Sequence, residues 1–113
     1  MPTTYKVLGQ VQTSTLGAST EGDLYTVPAA TTAVVSTIAV CNLTGTAATY
    51  RIAVRPAADG TTANKHWIVF GATVAASDSS FLTLGVTLAA GDKIRVFGST
   101  TTLSFSAFGS EIS

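Results

Sequence analysis

Ala33-Val34-Val35-Ser36-Thr37-Ile38-Ala39-Val40-Cys41-Asn42-Leu43 is the stretch that decides the fold. Its β-branched residues lose side-chain freedom in a helix and pack well on a pleated sheet. Both alternating faces are apolar, with Val34, Ile38 and Val40 on one and Val35, Ala39 and Cys41 on the other. A strand covered on two sides reads this way, so the segment is placed in the middle of a sheet. It is too short for a membrane-spanning helix, which needs about 20 apolar residues.

Working outward toward the N-terminus, Asp23 to Val27 is a short strand stopped by Pro28, which has no amide to give a ladder. Thr13 to Gly22 is a polar loop, and Tyr5 to Gln12 is a first strand. In the other direction, Thr44-Gly45-Thr46 reads as a hairpin connection. Tyr50 to Arg55 then alternates, with Tyr50, Ile52 and Val54 inward and the two arginines outward, until Pro56. Asp59-Gly60 is a turn, Lys65 to Phe70 a strand with apolar groups on both faces, and Gly71 a bulge or bend. Ser77 to Ser80 turns into Phe81 to Leu84, and Gly85 breaks or bulges the strand before Val86 to Leu88. Ala90-Gly91-Asp92 leads into Lys93 to Phe97, and Leu103 to Phe108 is the last strand, with Phe108 alone on its face. About eight strands at spacings near ten residues predict an all-β, two-sheet antiparallel sandwich with little or no helix. The wiring is expected to be jelly-roll-like, with an immunoglobulin-like order as the alternative.

With 113 residues, the chain is read as a single sandwich domain, 1–113, in which residues 1–12 are a candidate arm or exchanged edge strand. Charged residues make up 11%, six basic and six acidic, against about 25% in a typical soluble domain. So little charge repulsion favours self-association, and a surface of Thr, Ser, Ala and Gly is cheap to desolvate against a partner. A subunit of an assembly is expected. Mean hydropathy is +0.43, yet every apolar run is broken early, so no membrane partner is expected. Met1 to Lys6 shows no basic-then-apolar leader, which argues against a cleaved signal. The single cysteine, Cys41, excludes an internal disulfide and is expected to be a small buried hydrophobe.

The residues that catalysis needs are sparse. The one histidine, His66, is placed in an apolar strand beside Trp67, with no nucleophile motif around any serine. Asp23, Asp59, Asp78 and Asp92 each sit beside Gly, Ser or a strand start, where turn geometry accounts for them. No metal-ligand spacing or phosphate-binding glycine pattern is present, so a non-enzyme without cofactor or metal is expected. The strongest constellation is basic: Arg51 and Arg55 outward on one strand, Lys93 and Arg95 outward on another. If those strands are neighbours, four cations share one face and could grip phosphate or a carboxylate-rich partner. Zero net charge argues against nucleic acid and favours paired surface charge or a subunit contact. Thr61, Thr62, Asn64, Ser77 and Asp78, with Trp67 near them in sequence, are the candidates for a glycan site.

Four stretches carry a family resemblance: Tyr5 to Gln10; Asp23 to Ala29 running into Val35 to Asn42; Leu88 to Val96; and the closing Leu103 to Ile112. Together they resemble the short Thr/Ala-rich virion structural proteins of tailed phages, particularly cyanophages. The resemblance implies a β-sandwich on the virion, most simply a capsid decoration or cement protein on the capsid exterior. Its implied partner is the major capsid protein or another virion protein; copies of itself, as a homotrimer held by exchange of the N-terminal strand, are expected from the long polar loop, residues 13–22, that separates that strand from the rest. A module of the tail, baseplate or fibre that recognises host polysaccharide is the alternative. No functional residues carry over. The candidate interface residues are Tyr5, Lys6, Arg51, Arg55, Lys93 and Arg95.

Overall fold

The structure, a computed structural model, describes residues 2–113. Its strands are β1 (Thr3–Gln12), β2 (Thr20–Thr26), β3 (Thr32–Asn42), β4 (Ala48–Arg55), β5 (Trp67–Val74), β6 (Ser79–Leu88), β7 (Lys93–Gly98) and β8 (Leu103–Ile112). They form two antiparallel sheets, A in the order β1-β8-β3-β6 and B in the order β2-β7-β4-β5. First pairs with last, second with seventh, third with sixth and fourth with fifth, which is how a long hairpin rolls up into a jelly roll. An immunoglobulin-like order leaves the first and last strands on different sheets, so that alternative is set aside.

Only the β4–β5 connection stays within one sheet. Thr44-Gly45-Thr46, expected as a hairpin, instead carries the chain from sheet A to sheet B. Asn42 shapes this corner. Its buried amide donates to the carbonyls of Thr46 (2.8 Å), Ala75 (3.3 Å) and Val74 (3.4 Å), while its Oδ1 accepts from the Thr44 amide at 3.2 Å.

β3 is central in sheet A, as expected, but its faces are not those of unbroken alternation. The register slips between Val35 and Thr37 on both sides: Ser36 is an extra residue between the partners Gly109 and Phe108 on β8, and it faces both Leu84 and Gly85 on β6. Ala33, Val35, Ile38 and Val40 therefore all point into the core, and Val34 lies on the opposite side from Ile38. That outer side is half-buried, not covered twice, and Cys41 sits on it as a half-buried free thiol outside the core. Gly71 is the bulge foreseen: its φ of 79° lies in the left-handed region, opposite a register slip between Tyr50 and Arg51. Gly85 bulges β6 without ending it.

The core lies between the sheets. Ile38, Val40, Leu103 and Phe105 come from sheet A and Ile52, Ile94 and Val96 from sheet B, all at most 1% exposed, each contributing about 1.5–3 kcal/mol by burial. Tyr50 meets Phe105 edge-to-face at 6.2 Å. The expected polar loop after β1 contains a helical turn, α1 (Thr13–Leu16), and β2 begins earlier than expected, at Thr20. Thr13 is fully buried, and its hydroxyl accepts from the Leu103 amide (3.0 Å) and donates to the Leu103 carbonyl (3.2 Å). The side chain thus continues the β1–β8 ladder where the backbone turns away.

Candidate interaction surfaces

β4 and β7 are neighbours in sheet B, so the four expected cations do share its outer face. Pairing across the sheet sets Glu21 beside Phe97, Arg51 and Phe70 in one row, Asp23 beside Arg95, Ala53 and Trp67 in the next, and Thr26 beside Lys93 and Arg55 in the third. The acids come from β2, where Asp23 is a strand residue and not a turn residue. Arg95 binds Glu21 at 3.0 Å and Asp23 at 2.6 Å, and Lys93 binds Asp23 at 3.3 Å. Partial burial pushes the Asp23 carboxyl up, but hydrogen bonds and charge from Arg95 and Lys93 outweigh it and hold the group below its ordinary range. Arg95 is likewise opposed by burial and raised overall by its two acids. Lys93 and Arg95 are thus neutralised in place, at about 0–1 kcal/mol per exposed pair.

Arg51 differs. Its guanidinium lies 4.0 Å from the Phe70 ring centre, 4.3 Å from Phe97 and 5.8 Å from Trp67. Among the described residues it has no carboxylate within ion-pair distance and no side-chain hydrogen bond. Stacking fixes the plane of the group, and its N–H donors have no partner among the described residues. Beside it, Asn64, Trp67 and the exposed Phe70 line a shallow pocket of about 340 Å³. Arg55 has a buried Nε without a partner.

The other two candidates lie elsewhere. Tyr5 is 84% exposed on the outer face of sheet A, while Lys6 is paired with Glu111 at 3.1 Å. Glu111 also accepts from the Tyr25 hydroxyl at 2.5 Å, so its carboxyl is held low, by Tyr25 first and Lys6 second. Burial and the same acid push the Tyr25 phenol well up. The glycan candidates also divide: Thr61, Thr62 and Asn64 lie on the β4–β5 loop, and Ser77 and Asp78 follow β5 at the opposite end.

His66 is not in a strand. It closes a 3-10 turn, Asn64–His66, and is buried. Its Nδ1 accepts from the Ala63 amide at 2.8 Å, which leaves the ring proton on Nε2, 2.8 Å from Asp59 Oδ2. That hydrogen bond is the main reason the Asp59 carboxyl lies below its usual range. The pair holds the loop. Asp78 and Asp92 accept from backbone amides, as turn residues do.

The outer face of sheet A has a different chemistry. Its four rows are Tyr5-Ser110-Val34-Thr87, Val7-Phe108-Thr37-Thr83, Gln10-Ser106-Ala39-Phe81 and Gln12-Ser104-Cys41-Ser79. None of these residues carries a charge. Unbroken alternation along β3 hid this face.

Fold and surfaces together define a jelly-roll β-sandwich with one neutral outer face and one ionic, aromatic outer face. No family model and no curated protein matches the chain. Among solved structures, it is similar to a chain in the structure of infectious bursal disease virus Gx strain, with TM-score 0.50 and 12% identity. That match covers 97% of this chain and 31% of the viral one. A chain of the Gt strain structure matches with TM-score 0.51 and 11% identity, covering 97% and 32%. The likeness is one of fold, and this chain spans about a third of the length of those viral chains.

Proposed function

We propose that this protein is a non-enzymatic structural subunit of a tailed-phage virion, a decoration or cement protein bound to the major capsid protein on the capsid exterior. The Arg51 cluster carries the reading. Arginine and aromatics are the residues that interface cores concentrate, and here an unpaired guanidinium is held ready among three rings for a carboxylate on the shell. The jelly-roll fold, shared with the viral chains, and the low charge of the sequence support it. The homotrimer and the role of residues 1–12 as an exchanged strand belong to the same proposal.

Cosedimentation with phage heads stripped of minor proteins tests it. Wild type binds in many copies per particle, and Arg51→Ala combined with Phe70→Ala weakens binding by about tenfold or more, as loss of an interface anchor does. Unchanged binding by that double variant, or no binding by wild type, overturns the reading. The pocket of Asn64, Trp67 and Phe70 favours one second reading, a tail or fibre module that grips host polysaccharide. A glycan array signal lost in Trp67→Ala, with no binding to heads, would establish that instead.

A further inference from the structure

We propose that the uncharged outer face of sheet A is the surface by which two copies of this chain associate, face to face. None of the twelve charged residues stands in the four rows of this face, whereas six of them, Glu21, Asp23, Arg51, Arg55, Lys93 and Arg95, stand on the outer face of sheet B. Covering an ion without a partner costs several kcal/mol, so of the two faces only sheet A can be dried cheaply. Its apolar groups are also unusually open: Tyr5 is 84% exposed, Phe81 71% and Val7 47%.

The occupant follows from chemistry and area. A charged partner finds nothing on this face to pair with. A second copy presents the same Ser, Thr and Gln hydroxyls and amides, each both donor and acceptor, so a two-fold contact can satisfy its own polar groups. Four strands about 4.8 Å apart and roughly 30 Å long offer roughly 600 Å². Two such faces bury about 1,200 Å², the lower bound of a stable specific interface. The inference rests on this face alone and does not depend on the virion reading.

Sedimentation velocity on the purified chain tests it without any phage particle. Wild type should form an even-numbered oligomer, a hexamer where two of the proposed trimers meet through this face. Phe81→Asp, at an exposed position that folding does not need, and Ala39→Arg, at the centre of the face, should each weaken association by about a hundredfold, the scale expected for an unpaired charge in a dry contact. Lys65→Gln, on the loop that leads into β5 of sheet B, should leave it unchanged. Maleimide labelling of native Cys41 gives a readout without substitution: its rate should rise as dilution dissociates the oligomer. A wild-type monomer, an odd-numbered oligomer, association indifferent to Phe81→Asp, or Cys41 labelling independent of concentration would each overturn the proposal.

Discussion

Replacing Asn42 by aspartate exchanges an amino group for an oxygen at almost constant volume. Asn42 is 2% exposed, and the lost group donates to three backbone carbonyls at 2.8 to 3.4 Å. In Asn42→Asp an anionic oxygen would face those three carbonyl oxygens. Orphaning a buried polar group costs about 1–3 kcal/mol, and an uncompensated buried charge about 3–5 kcal/mol. The expected loss at pH 7 is therefore about 3–5 kcal/mol, a large part of the roughly 5–15 kcal/mol that holds a domain together. At about 4 °C per kcal/mol, melting falls by roughly 12–20 °C. The sign with pH is distinctive. Burial and the carbonyls raise the folded pKa of the introduced carboxyl above its unfolded value near 4. The penalty is therefore full above the folded pKa and shrinks as pH falls through it, because the protonated acid restores one donor. Urea titrations of variant and wild type at pH 7 and pH 4.5 read the difference directly. A penalty below about 1 kcal/mol, or one equal at both pH values, would refute the role of Asn42 as the hub of the β3–β4 corner.

Ile38→Ala, in the centre of β3 and wholly buried, should cost about 2–5 kcal/mol; a loss under about 0.5 kcal/mol in a denaturant titration would mean that its side chain faces outward. Thr13→Val keeps the shape but orphans the buried amide and carbonyl of Leu103, and should lose about 2 kcal/mol or more, while Thr13→Ser stays near wild type; equal loss in both would assign the effect to packing. Tyr25→Phe removes the bond to Glu111 and should cost about 1–2 kcal/mol between pH 5 and 9. Tyr25 titrates above its unfolded value and Glu111 below. The Tyr25 contribution is therefore complete below about pH 10 and lost as pH rises further, and that of Glu111 is present above about pH 4.5 and lost in acid. The variant should flatten the alkaline limb, and an unchanged limb in thermal melts would contradict the assignment.

Strands and turns were legible in the sequence because their signals are local. Alternation from Tyr50 to Arg55 and the turn at Asp92 need no knowledge of neighbours, and the bulge at Gly71 follows from a single glycine. What was not legible depended on distant partners. The slip at Ser36 that turns Val34 away from Ile38 shows only in the pairing of β3 with β6 and β8, both far along the chain. Glu21 falls within an expected loop and Asp23 reads as a turn residue, so the acids that neutralise Arg95 and Lys93 are not legible, while the four cations read outward on two strands whose adjacency only the fold supplies. Thr44 to Thr46 has hairpin composition, and only the contacts of Asn42 with the carbonyls of Val74 and Ala75 on the far side of the corner turn it into a crossover.

The two outer faces should answer salt in opposite ways, which offers a means of separating their partners. A contact through Arg51 depends on a charge at the protein surface, and the screening length falls from about 10 Å at 0.1 M to about 3 Å at 1 M ionic strength. Binding to a carboxylate-bearing shell should weaken over that range. A contact through the neutral rows of sheet A has no charge to screen, and sulfate strengthens the burial of apolar surface. Self-association should therefore hold in sodium chloride and tighten in ammonium sulfate. Opposite trends in cosedimentation and in sedimentation velocity of the same preparation would locate the two contacts on different faces. A parallel decline of both with salt would place self-association on the ionic face as well, and the division of labour between the sheets would fail.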